Sequence, residues 1–135
     1  MKLVVDASAV AAWLMPDEIG VDLVRLRERG DQLIAPWLLW VELRNLLLMA
    51  IRRNRISPDM AARVLASADA LGVALDTNPN STILMDHAGR YRLTAYDALY
   101  LELAKREAAG LLSADKALCH AARQERVTVL DWNGL

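Results

Sequence analysis

A single cysteine, Cys119, stands among the 135 residues. One thiol forms neither an intramolecular disulfide nor a CxxC metal site, so disulfide-stapled folds fall away and a reducing compartment is expected. Cys119 itself reads as a small buried hydrophobe in a helix. Long apolar runs are also lacking. Asp6 interrupts Leu3-Val4-Val5, and Ala7–Met15 is too short to span a bilayer, so neither an export signal nor a membrane anchor is expected. Charge of one sign is not in excess either: 16 Lys and Arg against 17 Asp and Glu leave a formal net charge of −1. This argues against a basic coat that grips nucleic acid by electrostatics alone. It leaves room for a nucleic-acid enzyme whose site holds metal ions, because there the ions bring the positive charge. Repeats, low-complexity tracts and linkers are absent. What remains is a globular composition, 55% hydrophobic and 24% charged, in a length that suits one domain over residues 1–135, cytoplasmic by expectation.

Short β-branched or leucine-rich runs alternate with longer helical patterns. Strands are predicted at Lys2–Val5, Gln32–Ile34, Val73–Leu75, Leu111–Ser113 and Val127–Leu130. Helices are predicted at Ser8–Met15, Glu18–Arg29, Trp37–Arg53, Pro58–Leu71, Pro79–Ala88, Tyr96–Ala109 and Lys116–Glu125. Strands separated by helices imply right-handed βαβ units around a mostly parallel sheet. Gly30, Gly72, Gly89 and Gly110 each follow a helical run and are expected to close its last turn, while Ser57-Pro58 and Asn78-Pro79 are expected to open helices. Glu18–Arg29, apolar on one broad side, reads as a surface helix.

The Trp37–Ile51 stretch differs. Only Glu42, Arg44 and Asn45 in it are polar, so it has no wet face and is expected to be buried on more than one side. One side can meet the sheet, and the other a second copy of the chain, giving a homodimer, or a partner protein.

Most of the acids sit where acids normally sit; Glu102, Glu107 and Glu125, for instance, fall at helix-surface positions. Four are embedded in apolar sequence: Asp6 after Leu-Val-Val, Glu42 within Trp-Leu-Leu-Trp-Val-Glu-Leu, Asp97 within Ala-Tyr-Asp-Ala-Leu-Tyr-Leu, and Asp115 after Leu-Leu-Ser-Ala. An ionised carboxylate in such surroundings is costly unless something pairs with it. Asp6 and Asp115 fall at carboxyl ends of predicted strands, where open α/β sheets bind ligands, and Glu42 and Asp97 can lean over the same edge. Four gathered carboxylates raise one another's pKa unless a cation compensates, and hard divalent ions with oxygen ligands are the natural occupants. Each acid has a plainer reading. Asp6 and Asp115 suit N-caps, and Thr94-Ala-Tyr-Asp97 has the capping-box spacing. Glu42 is the hardest to explain away.

These segments together, in this order, resemble the PIN-domain family and specifically the VapC-type toxins of prokaryotic toxin–antitoxin modules. The resemblance rests on Val-Val-Asp6-Ala-Ser, Ala-Pro-Trp-Leu-Leu-Trp-Val-Glu42-Leu-Arg-Asn45, Leu-Thr-Ala-Tyr-Asp97-Ala-Leu-Tyr-Leu and Leu-Leu-Ser113-Ala-Asp115-Lys-Ala-Leu. It implies a three-layer α/β/α sandwich and an Mg²⁺- or Mn²⁺-dependent endoribonuclease, with RNA as substrate and a cognate antitoxin as inhibitor. Carried over by position, Asp6, Glu42, Asp97 and Asp115 match the family's acidic, metal-binding quartet. Ser113 stands where many relatives carry threonine, and Asn45 matches a frequently polar supporting position.

The remaining candidates read more simply. Arg52, Arg53 and Arg55 form the densest basic cluster, taken as a solvated helix end complementing the helix dipole rather than an RNA clamp. Trp37 and Trp40 are assigned to core or interface packing rather than base stacking. His87 and His120 lack ligand spacing, and Asp86 is expected to be partly exposed. A non-catalytic PIN-fold module holding a partner is the main alternative function, but such a scaffold gains nothing from four mutually repelling acids. A phosphotransfer domain fits less well: Asp6-Ala7-Ser8 lacks the phosphatase's second aspartate, and Lys116 follows Asp115 at a helix start.

Overall fold

The computed structural model describes residues 1–131. Leu3, Val4 and Val5 have no exposed surface, as a short apolar run must when a parallel strand is covered on both faces. They form β1 (Lys2–Val5), followed by α1 (Ala7–Leu14), α2 (Leu23–Glu28), β2 (Gln32–Pro36), α3 (Leu38–Arg52), α4 (Pro58–Leu71), β3 (Ala74–Asp76), α5 (Ser81–Tyr91), α6 (Ala95–Arg106), β4 (Gly110–Leu112) and α7 (Lys116–Gln124). The sheet order is β3-β2-β1-β4 and every pairing is parallel. Helices α1, α3 and α4 pack on one another, while α6 packs on both α5 and α7 and lies against β1 and β2. This is the expected α/β/α sandwich. No helix among the described residues is long and apolar enough to cross a membrane.

The expected fifth strand, Val127–Leu130, is reduced to one parallel bridge between Val129 and Leu111. Two hydrogen bonds flank it, Leu111 N–H to the Thr128 carbonyl (2.8 Å) and Leu130 N–H to the Leu111 carbonyl (2.9 Å). The Glu18–Arg29 helix also shrinks. The Asp22 side chain accepts from the N–H groups of Val24 and Arg25 and starts the helix there. Upstream, a Cβ on Gly20 would lie 2.6 Å from the backbone of Ala12 and Trp13, so the chain crosses the end of α1 too closely for a helical turn with side chains. Gly30 and Gly72 take positive φ as expected, but Gly89 lies inside α5 and Gly110 starts β4. Arg92 and Ala108, both with positive φ, make the turns expected of those two glycines. Ser57 and Pro58 open α4 as predicted, whereas α5 is capped by Asn80, two residues after the expected Asn78.

Of the acids expected on helix surfaces, one is buried and a second is largely covered. Glu102 is 1% exposed, its carboxylate gripped by Arg106 (2.8 and 3.1 Å) and by the N–H of Asn80 (3.1 Å). Arg106 also holds Asp76 at 3.0 and 2.7 Å, tying α6 to the end of β3. The Glu125 carboxylate, 9% exposed, receives Lys105, Arg90, the Tyr91 hydroxyl and the side chain of buried His87.

Helix α3 turns Leu39, Leu43, Leu47 and Ala50 inward. Nothing among the described residues covers its outer side: Trp37 is 48% exposed and Trp40 54%, with Val41 and Leu48 also open. The Arg44 guanidinium stacks on Trp40 at 3.6 Å and donates to the Trp40 carbonyl at 3.0 Å.

Candidate active site

The pairing of β1 with β4 sets Val5 opposite Leu112, so the residues just past them, Asp6 and Ser113, stand side by side. Asp6 is the N-cap of α1. Its Oδ1 accepts from the Ala9 N–H (3.0 Å) and the Ser8 hydroxyl (2.6 Å), and its Oδ2 accepts from the Ser113 hydroxyl. Ser113 Oγ in turn accepts from the Asp115 N–H at 3.0 Å. Asp115 caps α7 through the Leu118 N–H at 2.8 Å. Both acids are therefore caps, as their plainer reading held, and both also face a shared cavity.

Asp97 enters from the first turn of α6, whose N-cap is Thr94, and its own N–H donates to the Thr94 hydroxyl at 3.1 Å. Glu42 enters from α3, and the Tyr100 hydroxyl donates to its Oε1 at 2.6 Å. Asp6, Glu42, Asp97 and Asp115 line one cavity of about 260 Å³ together with Ser8, Asn45, Leu46 and Tyr100. Four separate elements thus deliver the four acids to the carboxyl edge of the sheet. Asn45 lies in the wall, and Ser113 lies behind Asp6, donating to its carboxylate. Sequence reasoning missed Tyr100 and Ser8. The signal for Tyr100 was its spacing of three from Asp97, which places both on one helical face.

No lysine or arginine lines this cavity. Burial holds Asp6 above the ordinary aspartate value, against the pull of Ser113, Ser8 and the Ala9 N–H, and the charge of Asp115 adds to the rise. Glu42 is raised chiefly by burial, opposed by the Tyr100 hydrogen bond and reinforced by Asp6. Asp97 is pushed up to about 6, first by burial and then by the charges of Asp115, Glu42 and Asp6. Burial is the first cause in all three, and repulsion from neighbouring carboxylates adds to each.

As placed, no three His, Cys, Asp or Glu side chains among the described residues close around a point by themselves. The donor set is all oxygen and the cavity is open, unlike the closed nitrogen and sulfur cages of structural zinc sites. Such a set fits a hard divalent ion that retains several waters. Elsewhere, Cys119 is buried and its thiol donates to the Ser113 carbonyl at 3.4 Å. His87, His120, Trp37 and Trp40 do not line the cavity. Asp86 is exposed and paired with Arg90.

The fold and this edge define an α/β/α domain with a carboxylate-lined pocket at the carboxyl ends of its central strands. The PIN domain family model matches residues 3–124. The chain belongs to the PIN domain family. It is 33% identical over 121 residues to ribonuclease VapC3 of Pyrobaculum aerophilum, a match covering 87% of this chain and 92% of that one. Among solved structures, PAE2754 from Pyrobaculum aerophilum superposes with a TM-score of 0.73 at 24% identity, over 90% of this chain and 84% of that one. FitAcB from Neisseria gonorrhoeae gives 0.61 at 14% identity, over 96% of each chain. VapBC2 from Rickettsia felis, solved bound to a DNA fragment from their promoter, gives 0.60 at 13%, over 98% of this chain and 99% of that one. These structural likenesses establish the fold.

Proposed function

We propose that this chain is an endoribonuclease, the toxin of a toxin–antitoxin module, cutting RNA phosphodiester bonds in the cytoplasm with water activated by Mg²⁺ or Mn²⁺. The observation that carries this is the convergence of Asp6, Glu42, Asp97 and Asp115, from four elements, on one cavity with no cationic side chain in its wall. The identity to a protein named as a ribonuclease supports the choice of RNA.

Those four carboxylates would hold the ion. When bound, it lowers the pKa of water and neutralises charge developing on the phosphoryl oxygens. Asp6 is locked by the Ala9 N–H, Ser8 and Ser113, so its position is set before substrate arrives. Tyr100 fixes Glu42 in the same way. Asp97 is the group assigned to take the proton of the attacking water: it is half-buried in the cavity, and its helix is capped by Thr94, so its carboxylate is not committed to capping as those of Asp6 and Asp115 are.

The outer side of α3 is assigned to a partner chain: a second copy forming a homodimer, with the cognate antitoxin as the inhibitory partner. Light scattering should give twice the chain mass at micromolar concentration, and a clean monomer removes the homodimer. The test of function is induced expression in bacteria, wild type beside Asp97→Asn, following growth and mapping new RNA 5′ ends. Growth arrest with discrete new ends in the wild type alone is expected. Equal growth with no new ends would favour the non-catalytic binding module.

A further inference from the structure

The three arginines at the end of α3 are not equivalent. Arg55 is committed: its Nε and Nη2 reach Asp17 at 3.0 and 3.1 Å, and Nη2 reaches Glu18 at 3.4 Å. Arg52 and Arg53 are exposed, and among the described residues neither is paired with a carboxylate. The Arg52 Nη1 contact is to the sulfur of Met49, at 3.8 Å.

Register separates them further. At about 100° per residue, Arg53 returns to within about 20° of Glu42, and Arg52 to within about 20° of Asn45. Glu42 and Asn45 both line the acidic cavity. The strip of α3 that forms the cavity wall therefore continues through Met49 to two guanidiniums that meet no carboxylate among the described residues. At 1.5 Å per residue they lie about 15 Å along the axis from Glu42. The helix dipole explains why cations suit this end, but it favours any position in the last turn and says nothing about register.

We infer that Arg52 and Arg53 are positioning residues that grip phosphates of the RNA strand as it leaves the acidic pocket along α3. This rests on the ribonuclease reading. The chemistry requires such a grip. The pocket repels a polyanion, a bound ion offsets that repulsion only at the scissile phosphate, and the whole chain, at net charge −1, offers no general attraction. Guanidinium forks match phosphate oxygens, and a span of about 15 Å corresponds to roughly four nucleotides at 3.4 Å each.

The experiment measures binding of fluorescein-labelled single-stranded RNA of mixed sequence by anisotropy, in chelator, across a salt series. Oligomers of about 4 and about 12 nucleotides are compared for the wild type, Arg52→Gln/Arg53→Gln, and Arg55→Gln. In the wild type, affinity should rise with length. In the double variant that gain should be lost, the longer RNA binding about tenfold more weakly and the salt slope falling by about 1.4, two single-strand phosphate contacts' worth. Arg55→Gln should match the wild type on both oligomers. In cleavage assays with metal, the double variant should raise KM and spare kcat, a split that damage to the fold would not produce. A double variant with the wild type's length gain and salt slope overturns the inference, as does a wild type that binds neither oligomer. If the wild type binds with this arginine dependence but does not cleave with metal, the ribonuclease reading fails while the strip stands.

Discussion

The carboxylates of the pocket and those at the junction of α5, α6 and α7 share a chemistry and differ in their surroundings. Around Glu102, Glu125 and Asp76, each negative charge meets a guanidinium, an ammonium or a backbone N–H. Glu125 is drawn down to about 2, first by Lys105 and then by Tyr91, and Asp76 is lowered chiefly by Arg106. Around Asp6, Glu42, Asp97 and Asp115 the hydrogen bonds come from hydroxyls and backbone, no lysine or arginine lines the cavity, and Asp6, Glu42 and Asp97 are raised. One cluster is electrically closed and ties helices to the sheet; the other has no basic side chain to balance its carboxylates. An acid cluster is therefore diagnosed by what surrounds it, not by how many acids it holds.

The sharpest break in that comparison is to neutralise one pocket acid. Asp6→Asn should abolish metal-dependent RNA cleavage, by about a thousandfold or more in initial rate, with little loss of stability, because asparagine caps a helix as well as aspartate does. Retained activity at saturating Mn²⁺ would sink the site. The converse change belongs to the closed cluster. Arg106→Ala leaves Glu102 buried without its cation and should cost about 3 kcal/mol, roughly 10 °C in Tm, read by thermal denaturation.

The two clusters should also pull stability in opposite directions with pH. Asp97 holds a proton more tightly in the folded chain than the ordinary aspartate value of 3.8. Its contribution to stability in the metal-free protein is full below that value and is lost as pH rises toward about 6. Glu125, lowered to about 2, contributes above its ordinary 4.5, and that contribution is lost as pH falls toward 2. Melting curves of the metal-free protein should therefore show Asp97→Asn more stable than wild type at pH 7 and equal to it at pH 3. Mn²⁺ should raise the wild-type Tm at pH 7 and raise that of Asp97→Asn less. The smallest effect is expected at Tyr100→Phe, which frees Glu42 from its hydrogen bond. It should lower cleavage by about tenfold and move the acid limb of the pH–rate profile upward, since Glu42 then protonates more easily.

Much of this was legible because local rules and tertiary structure agreed. Lys2–Val5 is an apolar run stopped by a capping aspartate, and Pro58–Leu71 is bracketed by Ser57 and Gly72. Both were read to the residue. Where distant contacts decided, reading failed. Nothing local to Glu18–Arg29 shows that the chain must squeeze past the end of α1 at Gly20. Glu102 looks like any helix-surface acid until Asp76 and Asn80 arrive from the β3–α5 segment. The four pocket acids were conspicuous because their apolar neighbours made them expensive, but nothing near Tyr100 marked it out, its partner Glu42 lying 58 positions away.

The hydrogen bond between Ser113 and Asp6 joins residues 107 apart in the chain. Synthesis therefore reaches Ser113 long after Asp6, so the pocket gains its floor late, and the Asp115 that closes the rim is later still. The order of synthesis leaves the pocket without its floor until all four contributing elements have been made.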